Sequence, residues 1–180
     1  MLKRFFQYPR YLSDVLKSVD LDTIPAETTM ALWDSIHSLD PNVVTKTLSS
    51  LQFKLIQERL EQAPSFIFPS SKLNKTLISE IIETNCLGFS DMESEDSNTL
   101  FILRMFPELA SNKYIVPLRG DVVENSLKKS EAQQVLNCFC RFYLDTDLFS
   151  SYVLVFNENF DGFNYEMFMQ EYMKPTQFIL

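Results

Sequence analysis

The chain has 180 residues, 46% of them apolar and 22% charged, with sixteen Phe, seven Tyr and only three Gly. That length suits one domain, or one domain with a short tail, and it can bury a core without disulfide or metal staples. So few glycines argue against a glycine-rich phosphate cradle, and a net charge of −8 with a pI of about 4.7 argues against nucleic acid as a partner.

Met1 to Ser13 carries Lys3, Arg4 and Arg10 with Leu2, Phe5, Phe6, Tyr8 and Tyr11, and no acid before Asp14. Basic, apolar and acid-free composition is that of a mitochondrial targeting segment, although Pro9 interrupts any amphipathic helix. The same residues also read as a basic arm packed on the domain. The expected organisation is therefore an arm or short targeting segment at 1–13 and one domain at 14–180.

The first half reads as helical. Asp22, as a cap, and Pro25, in the first turn, open a helix with Glu27 placed to complement its dipole. Met30, Trp33 and Ile36 (or His37) recur at helical spacing up to the stop at Asp40-Pro41. Ser49 and Gln52 have capping-box spacing and start a second helix. It carries Phe53, Ile56 and Leu60 inward and Lys54, Glu58 and Glu61 outward, and it ends at Ala63-Pro64.

Beyond Pro64 the pattern changes. Ser65 to Pro69 is a short apolar run that predicts a strand. Leu77 to Phe89 fits a helix in its first half and an extended strand in its second, and Asp91 to Asn98 is an acidic loop. Thr99–Phe106 and Tyr114–Leu118 are predicted strands joined through Pro107-Glu108-Leu109. Ser130 and Gln133 suggest a further capping box, opening a helix with a core stripe of Ala132, Val135 (with Leu136), Phe139 and Phe142. Tyr152 to Phe156 reads as a β-branched and aromatic strand, and Tyr165 to Met173 as a terminal helix. Helices first, then strands packed with a late helix, predict an α+β fold: a mostly antiparallel sheet with N-terminal helices and a long helix from the C-terminal half packed on it.

The residue types for chemistry are sparse. His37 is the only histidine, with no Cys or carboxylate at ligand spacing, so it reads as a packed structural residue. On a helix Cys138 and Cys140 point to opposite sides, which suits neither joint zinc ligation nor a disulfide. With Cys86 they read as reduced thiols used as small apolar packers, which places the chain in a reducing compartment, cytosol or mitochondrial matrix. The carboxylates fall in solvated runs, where no shared apolar pocket splits their pKa values. The expectation is no catalysis, no metal and no cofactor. No apolar run is long enough to span a bilayer. In the turn segment Asn157 to Phe163, Phe160 and Phe163 have fewer ways to be buried than strand or helix aromatics, and they are the candidate partner-binding residues.

Motifs in collinear order resemble those of the mitochondrial F1-ATPase assembly factor family, the type that chaperones the β subunit. In the first half these are Leu32-Trp33, an extended segment at Val43-Val44, Phe53-Lys54-Leu55-Ile56 and Ala63-Pro64-Ser65-Phe66. Further on, Phe106-Pro107-Glu108-Leu109 and the strand Ile115–Asp121 follow, and Glu131-Ala132-Gln133 and Phe142-Tyr143 bracket a long helix. Tyr152–Phe156, Asn157, Phe163 and Tyr165 close the series. Between Ser70 and Asn98 the chain departs from the family's aromatic- and glycine-bearing hairpin. The resemblance implies an ATP-independent, monomeric chaperone of the mitochondrial matrix that holds the free β subunit until α subunits replace it. The alternatives are an acidic adaptor or inhibitor unrelated to ATP synthase, and an enzyme built on an unrecognised carboxylate site.

Overall fold

A computed structural model describes residues 8–17, 20–21, 23–70, 75–94 and 98–174. Its frame is a six-stranded sheet in the order β1-β6-β5-β4-β3-β2, with β1 at Val43–Ser49, β2 at Phe66–Ser70, β3 at Lys75–Glu83, β4 at Cys86–Asp91, β5 at Thr99–Met105 and β6 at Ile115–Val122. Every neighbouring pair is antiparallel. Strands β2 to β6 therefore form a meander, and β1 extends it as an edge strand paired with β6. The α+β expectation holds.

Helix α3 (Ser50–Gln62) and helix α4 (Lys129–Leu144) cover one face of this sheet. The capping box of α3 is as predicted: Gln52 N–H donates to Ser49 Oγ at 3.2 Å, and Ser49 N–H donates to Gln52 Oε1 at 2.9 Å. Its inward stripe of Phe53, Ile56 and Leu60 is buried. Helix α4 begins earlier than expected, with Lys128 at the cap. Glu131, not Gln133, reaches back to accept from the Lys128 N–H at 2.8 Å. A carboxylate at the third helical position accepts that orphan donor and complements the dipole, which leaves Ser130 as an ordinary first-turn residue.

Packing on three sides explains why α4 is apolar beyond a single stripe. Besides Ala132, Val135, Leu136, Phe139 and Phe142, it buries Cys138, Cys140 and Tyr143. Cys138 lies beside Tyr172, and Cys140 is buried in the same core. Burial pushes the Cys140 thiol up to about 12, so it stays protonated and inert. The aromatic wealth of the chain goes largely into this core. Phe68, Phe89, Phe101 and Phe139 form a run of ring contacts with centroids 5.2–6.4 Å apart.

One glycine is fixed by that packing. A Cβ at Gly120 would stand 2.2 Å from Phe101 Cζ and 2.8 Å from Val44 Cγ2. Across the sheet Gly120 pairs with Val44 on one side and Leu103 on the other, and the Phe101 ring lies over its backbone.

Helix α2 (Ala26–His37) and the N-terminal stretch cover part of the opposite face. Pro25 is the cap of α2 rather than a first-turn residue, and Asp22 lies outside the described residues. Its buried stripe is Thr29, Trp33 and His37, a spacing of four; Met30 and Ile36 face solvent, which corrects the expected stripe. Trp33 Nε1 donates to the Leu118 carbonyl at 3.2 Å, and its ring meets Phe106 edge-on at 5.4 Å. Leu12 and Leu16 join that cluster, with Leu12 in the short helix α1 (Leu12–Val15). Leu12 N–H donates to Glu108 at 2.7 Å, Arg10 pairs with Glu83 at 3.4 Å, and Tyr8 packs on Cys86, Ile102 and Val123. Of the segment 1–13, residues 1–7 lie outside the described residues.

Three further expectations change. Leu77 to Phe89 contains no helix; it is most of the hairpin β3–β4, turned at Thr84-Asn85 with Asn85 left-handed at φ 59°. A hairpin therefore occupies most of the stretch between Ser70 and Asn98. Strand β6 runs to Val122, four residues beyond the expected end. Tyr152–Phe156 is not a strand. It lies in a π-helical turn, Phe149–Val153, continued by helix α6 (Leu154–Glu158).

Candidate functional site

Titratable groups inside the fold are committed to structure. On the outer face of β6, Arg119 grips Asp121 through Nε and Nη2, at 2.7–3.0 Å, and donates through Nη1 to His37 Nε2 at 3.0 Å. His37 Nδ1 lies 2.7 Å from the Trp33 carbonyl, so Nδ1 carries the proton and Nε2 accepts. Burial holds this imidazole below its ordinary pKa; the Arg119 charge adds to that, and the Trp33 carbonyl and the Asp121 and Asp40 carboxylates oppose it. Burial pushes Asp121 up, with Arg119 pulling it back. The other buried carboxylate, Glu131, caps its own helix. Among the described residues no three His, Cys, Asp or Glu side chains converge as metal ligands.

The candidate surface lies instead on the C-terminal layer. After α4 the Asp145 side chain caps a short helix, α5 (Thr146–Leu148), by accepting from Leu148 N–H at 2.9 Å. The chain then passes through the π-turn into α6. Arg59 of α3 fixes the start of this layer, donating to the Tyr143 and Asp145 carbonyls and stacking 4.7 Å from the Phe149 ring centroid. Asn157 fixes its middle: Nδ2 donates to the Ser65 carbonyl at 2.6 Å and to the Val153 carbonyl at 2.8 Å. A 3-10 turn, Phe160–Gly162, leads to helix α7 (Tyr165–Tyr172), whose cap Asn164 accepts from Met167 N–H at 3.0 Å. Phe168 and Tyr172 of α7 are buried, and an ion pair between Arg141 and Glu171 ties α7 to α4.

Phe160 and Phe163 have different surroundings. Phe160 is 61% exposed at the tip of the turn, touching only Phe156 among rings, at 5.4 Å. Phe163 is half-buried, with Phe156 and Phe168 at 5.4 Å and Phe66 at 6.4 Å. Through Phe168 the run of rings reaches Tyr165, which is exposed again. Beyond Tyr165 the surface opens into a groove of about 280 Å³ between α7, α4 and the β2–β3 pair, where Pro69, Tyr165, Met169 and Met173 meet polar side chains of Ser70, Lys75, Thr76, Glu93 and Gln134. Sequence reasoning missed Tyr165, Met167 and Met173 as exposed apolar residues.

No curated protein matches the chain. The family model described as ATP11 protein matches residues 91–169, from the end of β4 through most of α7. That segment carries β5, β6, α4 and the exposed aromatic surface. Over residues 91–169 the chain thus matches the family that its sequence motifs resemble, the F1-ATPase assembly factor 1 type.

Proposed function

We propose that this protein is an assembly chaperone that holds the free β subunit of mitochondrial F1-ATPase until α subunits take its place. The observation that carries the reading is the ATP11 match over residues 91–169, a family with a role in F1-ATPase assembly. A free β subunit exposes the apolar surface that α later covers, and such patches aggregate. A protein that shields this patch and then yields to α needs an adaptable apolar surface and a moderate affinity, not a catalytic group. Phe160 and Phe163 supply part of that surface in this reading, which also makes the protein a monomer of the matrix with one chaperone domain at 14–180. The segment 1–13 acts as an arm or targeting segment.

Co-expression tests it. The β subunit alone should stay soluble with this protein and aggregate without it, and the α subunit alone should gain little. Retention of β should survive removal of nucleotide and magnesium. Equal rescue of α and β would reduce the protein to a non-specific holdase and end the proposal.

A further inference from the structure

The C-terminal layer has a charge asymmetry as pronounced as its aromatic content. From Asp145 to Met173 the chain contains Asp145, Asp147, Glu158, Asp161, Glu166 and Glu171 and not one Lys or Arg. Glu171 is paired with Arg141 and Lys174, and Asp145 caps α5. Asp147, Glu158, Asp161 and Glu166 are exposed, and no described ion pair holds them. Three of these four flank the exposed ends of the aromatic run: Glu158 and Asp161 sit beside Phe160, and Glu166 follows Tyr165.

We infer that this face docks a partner segment that is apolar at its centre and carries Lys or Arg on both sides. An exposed aromatic surface gains most when a partner's apolar side chains cover it, because that removes area from water on both molecules. Unpaired carboxylates at the rim then favour cationic flanks, reject acidic ones and speed encounter. Glu158 and Asp161 meet the flank beyond Phe160, and Glu166 meets the flank beyond Tyr165. The groove past Tyr165 adds Met169 and Met173 to the footprint among polar side chains that include Glu93, and Lys75 in its lining is already held by Asp91 at 2.8 Å. The inference rests on the chaperone reading for its natural client, but not for the chemistry of the face.

Two measurements on the full chain separate the questions. The first is retention of isolated F1 β subunit against increasing salt. Wild-type affinity should fall with salt, and the combined Glu158→Gln, Asp161→Asn, Glu166→Gln variant should bind about tenfold more weakly, with a flatter salt dependence and an unchanged melting temperature. The second uses a labelled leucine–serine amphipathic peptide flanked by lysines, beside the same peptide flanked by glutamates. The lysine form should bind and the glutamate form should not, and Phe160→Ser should weaken the former. If β binds the charge variant as it binds wild type, or if both peptides bind equally, the inference is overturned while the chaperone reading stands. If no F1 subunit is retained but the lysine-flanked peptide binds through Phe160, the docking chemistry is upheld and the client assignment falls.

Discussion

Arg119 donates to His37 Nε2 at 3.0 Å, and that contact requires the imidazole to be neutral. The groups facing it are Arg119 and Asp121 from β6 and Asp40 after α2, with the Lys129 ammonium bonded to the carbonyls of His37, Ser38 and Asp40. Its pKa in the fold lies below the ordinary value of about 6.5. The unfolded chain therefore takes up a proton first as pH falls. The stabilising contribution is fully present above the unfolded pKa and is lost as pH drops through the folded one. His37 is the only histidine, so the melting temperature should decline between about pH 7 and pH 5, and His37→Gln should flatten that decline. Asp121, raised by burial, has the opposite sign at lower pH, in the carboxylate range. A wild-type profile flat across the histidine range would contradict the assignment.

Gly120 and Phe101 make a second test. Adding a methyl group at Gly120 places it inside the Phe101 ring and against Val44, with no flexible chain end to give way. Gly120→Ala should cost about 1–3 kcal/mol, the usual cost of overpacking a filled core. Phe101→Leu alone should also destabilise. The double variant should lose less than the sum, because the smaller side chain makes room. Chemical denaturation of the four proteins reads the coupling directly, and simple additivity would show that the ring does not confine the glycine.

The outer face offers a reporter of its own. Cys86 is buried with Ile102 and Val123 where Tyr8 packs, and burial pushes its thiol up to about 12. In the native protein it should resist alkylation, as should the buried Cys138 and Cys140 of α4. Leu12→Ser puts a hydroxyl into the Trp33–Phe106 cluster and should loosen the stretch from Tyr8 to Leu16. The expected outcome is faster labelling of Cys86 with the other two thiols still protected, resolved by peptide mass mapping. Equal acceleration of all three would mean global unfolding instead.

What the sequence made legible followed local signals. Ser49 and Gln52 announce α3 because both halves of the cap lie within four residues, and the α4 stripe announces itself through periodicity. Strand β1 was visible only through the family likeness at Val43-Val44, since Thr45, Lys46 and Thr47 interrupt its apolar pattern. The β3–β4 hairpin was hidden because its turn uses Thr84 and a left-handed Asn85, with neither glycine nor proline as punctuation. Tyr152 to Phe156 was misread for a different reason. Its β-branched and aromatic residues favour strands, but Asp145 caps a helix and Phe149 and Val153, four apart, bury one face of it. Tertiary packing on Tyr143 and Asn157 overrides propensity there. The exposure of Phe160 could be read from its turn residues, whereas the half-burial of Phe163 depends on Phe66, distant in sequence.

That difference between Phe160 and Phe163 gives the decisive mutational pair. Phe160→Ser removes a ring that is mostly in water and leaves Phe156 to cover the turn, so the melting temperature should change little. If Phe160 anchors the client, retention of the β subunit should weaken by about tenfold or more, as for a buried aromatic anchor at an interface. Phe163→Ser removes a ring set among Phe66, Phe156 and Phe168 and should cost roughly 2–4 kcal/mol of stability before binding is considered. Measuring both variants by thermal unfolding and by β retention separates packing from recognition. A stable Phe160→Ser protein that still holds β at wild-type strength would exclude Phe160 as an anchor. Loss of several kcal/mol in the same variant would instead make the residue part of the core, against its present exposure.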